Sequence, residues 1–219
     1  MGSSAAALVA GIIDRIEDRP CGTTGRPPLP TIQVVETLRF FVREGVQWRE
    51  LRAMAGRAGV RFHVVRRRLD DRSTTALLRR VHVALIRTVR AGPEAAPRDV
   101  VVDGCSVRAE RGGELTGPNP TDRGKAGTRY PVVVSTDGLP LGVIPSAANV
   151  HDAQLFPHLL RSAQVVCAAI DGLYADAGYD GADDRGLRVR DGIQPHSRQV
   201  GAPHGSGLGA RRGPLRRRA

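Results

Sequence analysis

Lysine is nearly absent from this 219-residue chain: Lys125 is the one example, and arginine supplies the rest of the 33 basic side chains, a bias that a GC-rich coding sequence explains. Cysteine is scarce as well. Cys21, Cys105 and Cys167 are odd in number and lack C-x-x-C spacing, so they suggest neither a disulfide framework nor a zinc site and fit a reducing cytoplasm. No apolar run is long enough to span a bilayer, so no membrane partner is expected. The opening stretch MGSSAAALVAGIIDRIEDRP has no basic region before its short apolar segment and meets acids at once; it reads as a helix, not an export signal. Acids are outnumbered, 22 against 33, for a net charge of +11, which favours an anionic partner and nucleic acid above all. Part of that excess lies in the tail RRGPLRRRA, and an arginine tail can be solvated and idle.

From residue 31 to 91 the apolar period is helical. In TIQVVETLRFFVREG, Val34, Val35, Leu38, Phe41 and Val42 form the stripe of a helix packed on one face, which Gly45 ends. Leu77, Leu78, Val81, Leu85 and Val89 form a second stripe, on a helix that Ser73 is placed to cap and that closes near Gly92-Pro93. Between them, QWRELRAMAGRAGVRFHVVRRRLDD reads as two short helices about a turn at Gly56 to Gly59. Phe62, Val65 and Leu69 would face inward, and His63, Val64, Arg67 and Arg68 outward. That is the layout of a helix-turn-helix whose second helix can enter a major groove, where arginine pairs with guanine edges; Arg66, Arg67 and Arg68 are its candidate DNA contacts. A helical hairpin that only packs shows the same pattern. Trp48 reads as core rather than as a stacking platform.

GPEAAPRD is a linker, dividing the chain into a helical domain over residues 1–95 and a second domain over 96–219. Strand patterns follow it. DVVVDGCSV is a β-branched run ending in Asp103, and TRYPVVVSTDGLPLGVIPSAAN is two strands about a turn at Asp137-Gly138. DAQLFPHLLRSAQ is a helix in which Pro157 is tolerable only in the first turn. The strand-like IDGLYADAG, a short helix over GADDRGLRVRDG and a last strand at GIQPHSR complete an α/β order, a mixed sheet with helices packed on it. If the strands of Asp103 and Asp176 are parallel neighbours, both carboxylates emerge at one edge. Unpaired they would repel, and a hard divalent ion, Mg²⁺ or Mn²⁺, removes the conflict and can activate an oxygen nucleophile for phosphoryl displacement. Asp103 and Asp180 can equally cap turns beside Gly104 and Gly181. Arg123, Lys125 and Arg129 gather in PNPTDRGKAGTRY, next to that edge, as phosphate contacts; a solvated hairpin loop is the plainer alternative. His151 can face the site or simply open a helix, and His196 and His204 lack ligand spacing.

The stretches VVDGCSVRAERGGELTGPNPTDRGKAGTRY, DGLPLGVIPSAANVHD, LYADAGYD and QPHSRQVGAPHGSGLGARR closely resemble the transposases of bacterial insertion sequence family five, within the four-type DDE transposase group. TGRPPLPTIQVVETLRFFVREGVQWRELRA resembles that family's helical N-terminal segment. The resemblance implies a ribonuclease-H-like core in which two aspartates and a glutamate hold Mg²⁺. Water or a 3′-hydroxyl then attacks a phosphodiester at the terminal inverted repeats, with no covalent enzyme intermediate. It assigns the first two acids to Asp103 and Asp176. It also implies double-stranded DNA as partner, at element ends and target, a homodimer in a synaptic complex, and a bacterial cytoplasm where the protein meets the nucleoid through DNA.

The resemblance fails at the third acid. After GSGLG the family reads arginine, tryptophan, two further positions and then glutamate; this chain has GARRGPLRRRA, with Gly213 at the tryptophan and Arg216 at the glutamate. Arginine donates no oxygen to a metal and brings a permanent positive charge. A decayed copy, truncated or frameshifted and catalytically defective, is the expectation. A product completed from a second reading frame by slippage, and a site completed by Asp180, Asp183 or Asp184, are the alternatives. A non-catalytic DNA-binding protein that occupies element ends is the competing function.

Overall fold

The computed structural model describes residues 2–17, 28–45, 50, 62–74, 76–91, 98–167, 169–176, 179 and 192–195. The chain divides into two compact units, Met1–Ala91 and Gly92–Ala219.

In the first unit the described elements are helices: α1 (Gly2–Ile16), α2 (Thr31–Glu44), α3 (Phe62–Thr74) and α4 (Leu77–Arg90). The opening stretch is therefore helical, as its pattern predicts. Ile12 and Ile13 of α1 pack with Leu77 and Val81 of α4, flanked by Val35 and Leu85, while Val34 of α2 meets Val65 of α3. Gly45 ends α2 in the left-handed conformation (φ 62°), which glycine adopts without a Cβ penalty. Both predicted stripes are too wide. Val42 is 76% exposed, and Leu78 and Val89 are exposed while Ile86 is buried. Val89 continues the Leu77–Val81–Leu85 row at every fourth residue but stands in the last turn of α4, where it is exposed, and Leu78 lies about 100° round the helix from Leu77. Ser73 does not cap α4: it lies in α3, and Ala76 (φ 53°) precedes the helix. The predicted turn at Gly56 to Gly59, Trp48 and the first helix of the hairpin lie outside the described residues.

The second unit is a mixed α/β layer, a sheet with a helix packed on it. Its strands are β1 (Asp99–Arg108), β2 (Gly117–Pro118), β3 (Ala126–Ser135), β4 (Pro140–Val143), β5 (Ser146–Ala147), β6 (Gly172–Tyr174) and β7 (Gln194–Pro195), with α5 over Asp152–Gln164. They form one sheet in the order β2-β3-β1-β6-β7, with β4 and β5 also paired to β3. β3 runs antiparallel to β1, whereas β6 runs parallel to β1 and β7 parallel to β6. The hairpin predicted at Asp137-Gly138 joins β3 to β4. Gly138 takes φ 89° and donates its N–H to the Ser135 carbonyl at 2.8 Å. Val100, Val102, Val133, Leu141 and Leu173 are buried from the strands, and Phe156, Leu159, Leu160 and Ala163 from α5. The helix lies so close that a Cβ on Gly142 would fall 1.8 Å from Ser162 Oγ. Pro157 stands past the first turn of α5, against the expectation; lacking an N–H, it leaves one helical hydrogen bond unmade. The short helix expected over GADDRGLRVRDG lies outside the described residues, as does the rest of the last predicted strand beyond β7.

Candidate active site

Asp103 does not close its strand. β1 continues to Arg108 because β3 offers it a partner throughout, from Val100↔Ser135 to Arg108↔Gly127. The pairing with β6 ends earlier. Its register runs Asp99↔Gly172, Val100↔Leu173 and Val101↔Tyr174, so Asp103 and Asp176 each lie two residues beyond the last paired positions. The parallel register thus brings both aspartates level where β6 stops and β1 runs on, just past a paired stretch whose strands lie about 4.8 Å apart. Both residues are exposed. Asp103 Oδ1 accepts the Gly104 N–H at 2.8 Å, which fixes the carboxylate against its own strand. Two level, exposed carboxylates are an all-oxygen donor pair of the kind that suits a hard divalent cation retaining much of its water. Among the described residues no third His, Cys, Asp or Glu joins them; Asp180, Asp183 and Asp184 lie outside those residues.

Below β1, on the side of α5, a second cluster supports this edge. Arg129, opposite Ser106 on β3, makes a bidentate ion pair with Asp152 through Nε and a terminal nitrogen, and its other nitrogen reaches Ser106 Oγ at 3.4 Å. Bonding to Asp152 raises the Arg129 pKa, against the desolvation that lowers it. Tyr179 is 2% exposed and packs on Phe156, ring centroids 6.1 Å apart. Burial pushes the Tyr179 hydroxyl well above its ordinary pKa, and Asp152 raises it further while Arg129 opposes. His151 is the N-cap of α5, its Nδ1 accepting the Ala153 N–H at 3.3 Å, so the helix-opening alternative is the one the structure adopts.

The basic candidates divide. Arg123 and Lys125 are exposed on a built loop: Asn119, 7% exposed, accepts the Thr121 N–H at 3.1 Å, and its own N–H donates to the Lys125 carbonyl at 2.8 Å. Arg129 is not with them but in β3, held by Asp152. The loop is also not beside Asp103. It leads into Ala126 and Gly127, opposite Arg108, and the five residues from Asp103 to Arg108 span about 17 Å of strand. In the first unit Arg66 and Arg67 are exposed, Arg66 lying 3.8 Å from Asp70, but Arg68 is 6% exposed and so does not face outward. Sequence reasoning missed Tyr179 and the partnership of Arg129 with Asp152. The first had a signal in its place three residues after Asp176; the second, joining residues 23 apart, had none.

Arg108 bonds Asp122 from the strand below the loop and holds that carboxyl below the usual aspartate range of about 3.9. A folded-state pKa below the unfolded value means stability that is complete above the unfolded value and lost as pH falls through the folded one. The stability difference between the wild-type chain and Asp122→Asn, read by urea denaturation, is expected to hold steady down to about pH 5 and to shrink toward zero below about pH 4. A difference that grows on acidification contradicts the pairing.

The chain is similar to known proteins. The family described as "Transposase DDE domain" matches residues 94–203. A protein of Burkholderia cepacia described as a transposase for insertion sequence element IS402 is 36% identical over 141 residues, covering 56% of this chain and 61% of the relative. The chain thus spans less than two thirds of that relative's length. Among solved structures, the Mos1 transposase paired-end complex with left transposon end matches at 13% identity, covering 82% of this chain and 61% of that one, with a TM-score of 0.33, too low to establish a shared fold. With the family match extending over half the chain and including both Asp103 and Asp176, this chain belongs to the transposase DDE domain family.

Proposed function

We propose that this chain is the DNA-handling and metal-holding part of an insertion sequence transposase with a ribonuclease-H-like core over residues 96–219. Residues 1–95 form its helical DNA-binding domain. The observation that carries the reading is the parallel register that brings Asp103 level with Asp176 in a chain of this family. Asp103 and Asp176 would hold Mg²⁺ or Mn²⁺ as ligands and not as proton carriers. When bound, such an ion activates an oxygen nucleophile and stabilises the leaving oxygen of a phosphodiester. Arg123 and Lys125 on the built loop, with Arg66 and Arg67, would hold double-stranded DNA through its phosphates. Binding would then weaken steeply with salt. Arg68 and Arg129, already buried or ion-paired, would act through packing.

No aspartate or glutamate occurs among residues 192–219, and Arg216 stands where the resemblance requires the third acid. The 219-residue chain by itself would therefore hold DNA and a cation without cutting, which also favours the second reading, a DNA-binding protein that occupies element ends. The test is the full chain incubated with a supercoiled plasmid carrying its own coding region and flanks. Salt-sensitive binding is expected, with no nicking in Mg²⁺ or Mn²⁺. Metal-dependent nicking that disappears in Asp103→Ala would make the chain a complete nuclease. Failure to bind the plasmid even at low salt would sink the DNA-handling reading altogether.

A further inference from the structure

Three contacts connect the two aspartates through residues that are not themselves ligands. The backbone N–H of Tyr179 donates to the Asp176 carbonyl at 3.0 Å. The Tyr179 ring is buried against Phe156 of α5, and its hydroxyl reaches β1 at Gly104, where an added Cβ would lie 3.3 Å from it and 3.4 Å from an Arg129 nitrogen. Gly104 in turn donates its N–H to Asp103 Oδ1 at 2.8 Å. β6 has ended at Tyr174, so among the described residues no ladder joins the two strands at the level of the aspartates.

We propose that Tyr179 is a positioning residue that sets the spacing of the Asp103 and Asp176 carboxylates, tied to Asp176 by its backbone and lodged against Gly104 by its hydroxyl, with the Arg129–Asp152 pair as the floor. The proposal rests on the reading of the two aspartates as metal ligands. A tyrosine in this place ties the Asp176 backbone to β1 where sheet hydrogen bonding no longer does. Glycine at 104 eases the close approach, because a Cβ there would sit tightly against the hydroxyl, at 3.3 Å, and touch the guanidinium at 3.4 Å. A cation drawing the carboxylates together would move Gly104 against the ring edge, and the ring would report it.

The experiment uses the full chain with its three tyrosines, Tyr130, Tyr174 and Tyr179, replaced by 3-fluorotyrosine, and Mg²⁺ as the probe. The resonances are assigned by single Tyr→Phe substitutions, with Tyr130→Phe and Tyr174→Phe identifying residue 179 by elimination should Tyr179→Phe not fold. The expected result is a ¹⁹F shift at residue 179 that saturates with Mg²⁺ and is absent in Asp103→Asn. Tyr179→Phe should lower Mn²⁺ affinity about tenfold, by calorimetry, whereas a Tyr179 that only fills the core would show no metal-linked shift. Two results overturn the proposal and are distinguishable. If Asp103→Asn abolishes metal binding while residue 179 never shifts, the positioning role is wrong and the ligand reading stands. If metal binding is the same in Asp103→Asn as in the wild type, the ligand reading falls and the positioning role with it.

Discussion

Glu17→Gln is expected to destabilise the first unit by about 3 kcal/mol, because it removes the carboxylate partner of a buried guanidinium. Arg72 of α3 and Glu17, one residue past α1, form a bidentate pair at 3.1 and 2.9 Å, with side chains only 3% and 13% exposed. The desolvation of Arg72 is already incurred in the native fold, and the amide of glutamine returns only part of the charge-assisted bonding. The neutral reference is informative. Glu17→Leu with Arg72→Met removes both charges and should recover most of the loss, since buried pairs seldom outdo apolar residues of similar volume. Urea denaturation followed by fluorescence of Trp48, the chain's one tryptophan, measures both variants. A single substitution costing under about 1 kcal/mol would mean the pair is solvated like a surface bridge.

The same helix shows where sequence reading stops. In FHVVRRRLDD, Phe62, Val65 and Leu69 read as the inner face, and three successive arginines read as a solvent side. Yet Arg68 and Arg72 follow the fully buried Val65 by three and seven residues, the helical spacing of one face. Arginine stems cover apolar surface readily, and Arg72 finds its counter-charge 55 residues away, where no local pattern points. Local signals were legible: Gly45 as a stop, Asp137-Gly138 as a hairpin, the β-branched run Val100–Val102 as a strand. Asp103 shows both sides of this. Its position level with Asp176 follows from element order, because a strand returning after a helix pairs in parallel. Its place in mid-strand does not, because Gly104 signals a break and only the long partner β3 carries β1 past it.

Asp152→Ala is expected to cost about 3 kcal/mol, far more than Asp122→Ala, although both aspartates meet an arginine in the same bidentate way. Exposure decides between them. The Asp152 and Arg129 side chains are 10% and 24% exposed, whereas Arg108 is 56% exposed beside Asp122, so water screens the second pair and replaces it when it is lost. Asp152 also stands in the first turn of α5, where a carboxylate adds about 0.5 kcal/mol against the helix dipole. Its loss leaves Arg129 beneath β1 with Ser106 as a weaker partner, and α5 carries Phe156, the contact of Tyr179. Denaturation of the two variants side by side checks the ranking. Equal losses would mean that the Arg129 pair is as open to water as the loop pair, and that the floor beneath Gly104 is not held by charge.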